Sequence, residues 1–352
     1  MRGRDSYIAW ALVAAAAVAV LALPLLTSDR YLLKVFTFVG LNAIVVTGLA
    51  LLFGYAGQIS LGHAAFFGIG AYASGFVTTK LGWPFLAGLA LAVGLSAAGG
   101  LLLALPSLRL KGHYLAMATL GFSEIASILF VEAKPITGGN DGLSGIPYAA
   151  VGALRFSTPQ ANYWLVWGVA IAAVLAVSGI VSSRPGRAMA ALHGSELGAS
   201  ACGIDPASVK TGAFTVSAGL AGLAGCLYAH VLGFVAPSSF ALDTSIVLVA
   251  MVVLGGSRSL AGPLAAAALL TLVPFADSIL PGLSPATVAF LQEWKGDISG
   301  VVIIAVMLFA PGGIAGVVRA LRGRFGGPGR PTRAGAVSAG PASVAEGEGS
   351  AV

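Results

Sequence analysis

The stretch GYAGQISLGHAAFFGIGAYASG, residues 54–75, places six glycines, a glutamine, a histidine and two serines between apolar runs. VVTGLALLF (45–53) precedes it, and a further apolar run begins at Phe85. Glycine permits sharp turns and close backbone approach. Gln58, Ser60 and His63 bring side chains able to hydrogen-bond backbone groups released from a helix. Irregular backbone at membrane depth is tolerated only where it is buried in protein or lines a watery cavity. Two readings follow. The stretch is a broken helix beside a transport pathway, or it is a short turn with ordinary turn glycines. Both require the flanking runs to be membrane spans.

Composition supports that requirement. Of 352 residues, 57% are hydrophobic and 9% charged, against about 25% charged in soluble domains. So little charge cannot cover a water-facing surface, whereas a lipid-facing one needs none. A spanning helix takes about 20 predominantly apolar residues. Ten candidates occur, near 7–27, 36–53, 63–79, 85–105, 114–131, 163–182, 211–233, 244–257, 261–280 and 298–317. Arg2 and Arg4 give the first the look of a secretory leader, but its apolar run exceeds the roughly 7–15 residues of a signal core. It is read as a retained span.

Basic residues orient the spans. With the N-terminus in the cytoplasm and ten crossings, thirteen of the 19 Lys and Arg residues lie inside and six outside. The inner set includes Arg2, Arg109, Arg184, Arg187, Lys210, Arg258 and Arg319; the outer set is Arg30, Lys34, Lys80, Lys134, Arg155 and Lys295. Both termini are therefore placed in the cytoplasm. The net charge of +6 follows span ends, which fits topology and not nucleic acid. Residues 1–320 form the membrane domain. Residues 321–352 are rich in Gly, Pro, Ala, Ser and Arg, cannot bury enough surface to order themselves, and are expected to be a disordered cytoplasmic tail. Cys202 and Cys226 are too few for a disulfide framework and read as plain small residues.

Small residues recur every four positions in two spans: Gly88, Ala92, Ser96, Gly100, and Ala213, Ser217, Ala221, Gly225, Ala229, Gly233. That spacing lines one helical face, and in lipid such faces let backbones pack closely. GQISLGH (57–63) has a faint echo in GSRSLAG (256–262), seven residues that prove little.

Three further segments carry candidate function. Residues 183–210 lie inside; after Pro185 a helical pattern through Met189, Leu192 and Leu197 is expected to end at Gly203. It is a helix shaped to dock in a groove or an ordinary surface helix. Outside, residues 132–162 contain TGGNDGLSGIP (137–147), a tight loop that meets an external partner, caps a pathway, or simply turns the chain. Glu124 sits mid-span in TLGFSEIAS. A central charge costs at least about 2.5–3.5 kcal/mol, so Glu124 is expected to face the bundle interior, to be paired, or to be protonated. It lines a pathway, fixes a neighbouring helix, or makes a structural hydrogen bond. Asp277 lies near a span end and reads as interfacial.

GYAGQISLGHAAFFGIGAYASG, GHYLAMATLGFSEI (112–125) and TGGNDGLSGIP together resemble the branched-chain amino acid ABC importer permeases, the last pointing to the M-type member of the permease pair. GRAMAALHGSELGASACGID (186–205) resembles that family's cytoplasmic coupling loop, and AGLAGCLYA (221–229) and LGGSRSLAGP (254–263) fit downstream. The likeness runs in order from about 36 to 318. It implies an all-α polytopic fold similar to the vitamin B12 and ribose importer permeases. It implies a multi-pass protein of the bacterial cytoplasmic membrane that pairs with a second, related permease. Two ATP-binding cassette subunits and an extracytoplasmic solute-binding protein complete the assembly. Amino acids cross by alternating access, with urea or short amides as the alternative cargo of the same architecture.

By that resemblance Arg187, Ala190, Ala191, Glu196, Ala199 and Gly203 contact the ATPase. Gly54, Gly57, Gln58, Ser60, Gly62, His63 and Glu124 belong to the translocation pathway. Gly138, Gly139, Asn140, Gly142 and Gly145 form the outer loop. The family pattern has a Gly before the mid-span Glu and a basic residue soon after; here Ser123 and Ser127 stand there, which removes a local ion pair. No Lys follows a Gly in a Walker A pattern, so ATP is used by partner chains, and the chain is expected to bind no cofactor. The four histidines (63, 113, 193 and 230) are scattered, without metal-ligand spacing. No nucleophile elbow or HExxH occurs. An ion-coupled secondary transporter would carry several intramembrane acids; Glu124 alone is thin support.

Overall fold

A computed structural model describes residues 21–24, 29–107, 112–152, 154–256, 259–275, 300 and 304. The expected first span (apart from 21–24), the tenth span (apart from 300 and 304), the end of the ninth beyond 275, Arg109, Lys111, Arg258, Asp277 and the tail lie outside the described residues.

The first long helix, α1 (Arg30–Ala50), starts where Asp29 accepts a hydrogen bond from the Tyr31 backbone N–H (2.8 Å). It continues as a π-helical turn, Leu51–Tyr55. Then follow α2 (His63–Lys80), α3 (Phe85–Ser107) and α4 (His113–Glu132). A connection with a short α5 (Lys134–Thr137) and the two-residue strands β1 (Leu143–Ser144), β2 (Ala150–Val151) and β3 (Leu154–Arg155) leads to α6 (Pro159–Ser182). Two short helices, α7 (Arg184–Gly194) and α8 (Glu196–Ala201), precede α9 (Pro206–Leu232). The strand β4 (Phe234–Val235), a 3₁₀ turn (Pro237–Phe240), α10 (Leu242–Gly255) and α11 (Ala261–Leu272) complete the order.

Among the described residues, six segments are long and apolar enough to cross a bilayer: Arg30–Tyr55, Phe85–Pro106, His113–Glu132, Pro159–Ser182, Pro206–Leu232 and Pro237–Gly255. With α2 and α11 they account for the eight expected spans that fall on described helices. The protein is a polytopic α-helical membrane protein. The strands add only two-residue pairs, β1 antiparallel to β4 and β2 to β3.

α1 is the central helix, apolar on all sides and buried over most of its length, as expected of a helix without a polar face. α6 crosses it, with Trp167 Nε1–H donating to Phe36 O (3.1 Å), and α11 binds it through Asn42 Nδ2 to Thr271 Oγ1 (2.8 Å). The two small-residue stripes do pack. Gly100 faces α9 so closely that a Cβ there would lie 2.5 Å from Ala218 Cβ. A Cβ on Gly222 would meet Ser96, and one on Gly225 would enter the backbone of Phe67 and Ala71. α2, α3 and α9 thus form a tight trio in which glycine is a steric requirement.

Chain direction sets the two ends. α4 rises over 20 residues, about 30 Å, from the end bearing α7–α8 to the end bearing α5 and the strands. At the latter end His230 Nδ1–H donates to Pro147 O (2.7 Å). In the neutral ring Nε2 then accepts from Ser74 Oγ–H (2.9 Å), and Cys226 Sγ–H donates to Ser74 Oγ (3.1 Å).

Candidate functional site

The glycine-rich stretch is a true interruption. After the π-turn the chain runs without regular structure from residue 57 to the start of α2 at His63. Its polar groups turn inward: Ser60 and His63 are 1% and 0% exposed. His63 bridges two elements, with Nδ1 3.1 Å from Ser60 Oγ and Nε2 2.7 Å from Ser217 Oγ of α9. Neighbouring helices satisfy the freed backbone. Leu61 N–H donates to Thr119 Oγ1 of α4 (2.9 Å), and Ala64 N–H to Ser245 Oγ of α10 (3.0 Å). Broken helices in membranes are held in this way.

Two glycines there are required. Gly57 has φ +68°, and a Cβ on it would lie 2.6 Å from His193 Nδ1. A Cβ on Gly62 would lie 2.9 Å from Thr119 O. Gly57 therefore brings the interruption into contact with α7. Gln58 is buried, and its Oε1 has no hydrogen-bond partner among the described residues.

The segment expected to form one helix ending at Gly203 forms two. Ser195 is extended (φ −158°, ψ 117°) and its Oγ accepts from Gly198 N–H (3.1 Å), capping α8. Gly194 and Ser195 supply the break that the pattern through Leu192 and Leu197 concealed. On α7, Gly186, Met189 and Leu192 are buried, while Arg187, Ala190 and Ala191 are exposed. On α8, Ala199 is buried, Glu196 half-buried and Leu197 86% exposed. Gly203 follows with φ +80° and open space around it.

Lys210, in the second turn of α9, is a residue that motif reasoning passed over. Its Nζ pairs with Glu196 Oε1 at 2.8 Å, with the side chains 11% and 31% exposed. A lysine at the start of an otherwise apolar helix is the signal, since lysine is almost never buried without a partner. Asp205 caps the same helix, accepting from Ala207 N–H (3.0 Å) and Ser208 N–H (3.1 Å). These donors hold its carboxyl below the ordinary carboxylate range.

The other site residues lie elsewhere. Glu124 does not point into this chain's bundle. It is exposed, on a face of α4 shared with Met117, Ile125 and Ile128. Gly138, Gly139, Gly142 and Gly145 all have positive φ, from 67° to 78°, in a loop pinned by β1–β4 at the far end from α7. Asn140 is exposed there. The structure thus joins the 54–63 stretch to the 184–210 segment and separates both from the glycine loop.

Over residues 31–310 the chain matches the family described as branched-chain amino acid transport system, permease component. The high-affinity branched-chain amino acid transport system permease protein LivM of Salmonella typhimurium is 33% identical over 295 residues, which is 77% of this chain and 67% of that protein. LivM of Escherichia coli K12 is 32% identical over 325 residues, 86% of this chain and 74% of that protein. No solved structure matches the chain significantly.

Proposed function

The chain belongs to the branched-chain amino acid transport permease family, and on that premise we propose that it carries branched-chain amino acids into the cytoplasm by alternating access. Two separate ATPase subunits drive it, a second related permease pairs with it, and an extracytoplasmic binding protein supplies its solute. The observation that carries this reading is the seating of α7–α8 directly on the broken helix, His193 against Gly57. A partner that moves α7–α8 thereby pushes on a stretch of membrane backbone that is not locked in a helix.

The exposed side of α7–α8 supports the docking role. Ala190 and Ala191 are small enough for close approach, and Leu197 projects as an apolar knob of the kind that fills a groove. Arg187, Glu196, Ala199 and Gly203 complete this coupling segment. It faces the cytoplasm, as do both termini, and the TGGNDGLSGIP loop with Gly138, Gly139, Asn140, Gly142 and Gly145 faces the binding protein. Glu124 supports the pathway assignment. A mid-span carboxylate exposed toward lipid would cost at least about 2.5–3.5 kcal/mol, so the outer face of α4 borders the partner permease and the aqueous path. Gly54, Gly57, Gln58, Ser60, Gly62 and His63 shape the inner end of that path.

Two measurements test the proposal. Cys202 is exposed and Cys226 buried, so a membrane-impermeant maleimide should label Cys202 only from the cytoplasmic side. In proteoliposomes with the ATPases and binding protein, Gly203→Trp should preserve ATP hydrolysis and cut leucine uptake at least tenfold. Labelling of Cys202 from outside, or normal uptake by Gly203→Trp, refutes the coupling role.

A further inference from the structure

α4 packs against the bundle on one side only, through Leu115, Thr119, Ser123, Ala126 and Phe130. On the opposite side Tyr114, Met117, Gly121, Glu124 and Ile128 follow one another at alternating steps of three and four, the spacing that keeps residues on a seam between two helices. Met117 is 68% and Ile128 60% exposed. A Cβ on Gly121 would meet nothing of this chain, so a facing backbone has room to come close. Glu124 lies near the middle of the 20-residue helix. Among the described residues, no other Asp, Glu, Lys, Arg or His sits so far from both ends of a spanning helix. α3 shows what a lipid-facing surface of this chain looks like. Its large exposed residues are Leu86, Leu95, Leu101, Leu102 and Leu105, and Phe85–Ser107 contains no charged residue. Lipid therefore does not account for Glu124, and water alone does not account for the exposed Met117, Ile125 and Ile128 around it. Apolar side chains with one polar group among them are the make-up of a helix contact inside a membrane, where the polar group finds its hydrogen bond across the contact.

We propose that this seam seats a transmembrane helix of the second permease, and that this helix presents a hydrogen-bond donor to Glu124 at mid-membrane depth. A Lys or Arg cation, a hydroxyl or an amide N–H meets the requirement, since an ionised carboxylate only accepts. Met117 and Ile128 pack against apolar side chains of the same helix.

The partner is not a second copy of this chain. Copies related by a two-fold axis along the membrane normal present the same patch to each other at equal depth. Seam against seam, Glu124 then meets Glu124, and two adjoining carboxylates oppose each other's charge. A donor on a non-identical helix removes that repulsion and sets the register, as a single polar position does between paired helices. Glu124 thereby selects which permease can pair. This inference rests on the pairing with a second permease proposed above.

The test is site-specific photocrosslinking in the assembled complex, purified through a tag on this chain. A benzophenone amino acid replaces Met117, Ile125 or Ile128 on the seam, or Leu102 on the leucine face of α3, and peptide mass spectrometry identifies the adducts. The seam positions should give an adduct to a non-identical permease at least tenfold above that from Leu102. Glu124→Leu should cut the second permease recovered with this chain at least fivefold while this chain stays monodisperse. Glu124→Gln, whose amide oxygen still accepts, should keep most of it. Adducts to a second copy of this chain overturn the inference, as does a seam that gives no protein adduct or no more than Leu102 gives. Undiminished recovery of the second permease with Glu124→Leu overturns the role of the carboxylate. If the second permease co-purifies with the parent but crosslinks elsewhere, the seam proposal falls alone. If no second permease co-purifies at all, the paired assembly beneath it falls first.

Discussion

The Lys210–Glu196 pair makes an asymmetric prediction. At 2.8 Å and an effective dielectric of about 20, the direct attraction is roughly 6 kcal/mol. Desolvation consumes much of this, and the 31% exposure of Glu196 screens part of the rest. Removing the carboxylate leaves a nearly buried lysine without its partner, whereas removing the lysine leaves a carboxylate that water still reaches. Glu196→Gln should therefore cost about 2–3 kcal/mol, near the lower range for a broken buried pair. Lys210→Met should cost only about 1 kcal/mol. In the double variant the two costs should not add, with a coupling energy of about 1–2 kcal/mol. Denaturant unfolding of the purified protein in detergent, followed by far-UV circular dichroism, measures all three. Equal costs, a larger cost for Lys210→Met, or simple additivity would refute this account.

Other outcomes follow from single contacts. Ser217→Ala strips the fully buried His63 of a partner at 2.7 Å and should destabilise by about 1–3 kcal/mol, seen as an earlier unfolding midpoint. Gly225→Leu drives a side chain into the backbone of Phe67 and Ala71; because backbone cannot yield as a side chain does, the fraction recovered as a monodisperse peak in gel filtration should collapse. Glu124→Leu should insert and express at least as well as the parent while leucine uptake falls. Asp205→Ala removes the α9 cap and should lower the melting temperature at neutral pH. Since the folded-state pKa of Asp205 is depressed, its contribution is complete above the unfolded value of 3.8 and is lost as pH falls through the lower folded value. The variant and parent should therefore converge under strong acid.

Much of this was legible because the membrane imposes a simple grammar. Runs of about 20 apolar residues marked the helices, and small residues four apart marked the face of α3 that packs on α9 and the face of α9 that packs on α2, where Gly100 and Gly225 leave no room for a side chain. The interruption at 54–63 was legible as polar groups amid lipid-compatible sequence. The helix break at Ser195 was not, because Met189, Leu192 and Leu197 keep a helical rhythm across it while one serine hydroxyl caps a new helix. Lys210 with Glu196 was hidden by fourteen residues of separation and a turn between them. The exposure of Glu124 on this chain's outer face was not legible for a different reason. The cost of a charge in lipid demands shelter, but it does not say whether this chain or a neighbour provides it.

That last distinction bears on how force travels. Energetic coupling between distant sites needs elements with two discrete arrangements, and spatial continuity alone does not establish it. Here continuity exists: His193 touches Gly57, Leu61 N–H binds Thr119, and Thr119 shares α4 with Glu124. The candidate for a two-state element on that route is the irregular stretch, since Leu61 N–H and the adjoining Ala64 N–H bond single side chains on two different helices and not a ladder. Each bond can be exchanged without unwinding a helix. A Thr119→Val substitution keeps the shape and deletes one such bond. If the route is real, it should alter the ratio of solute moved to ATP hydrolysed and not only the amount of folded protein. An unchanged ratio at unchanged stability would place the moving element elsewhere.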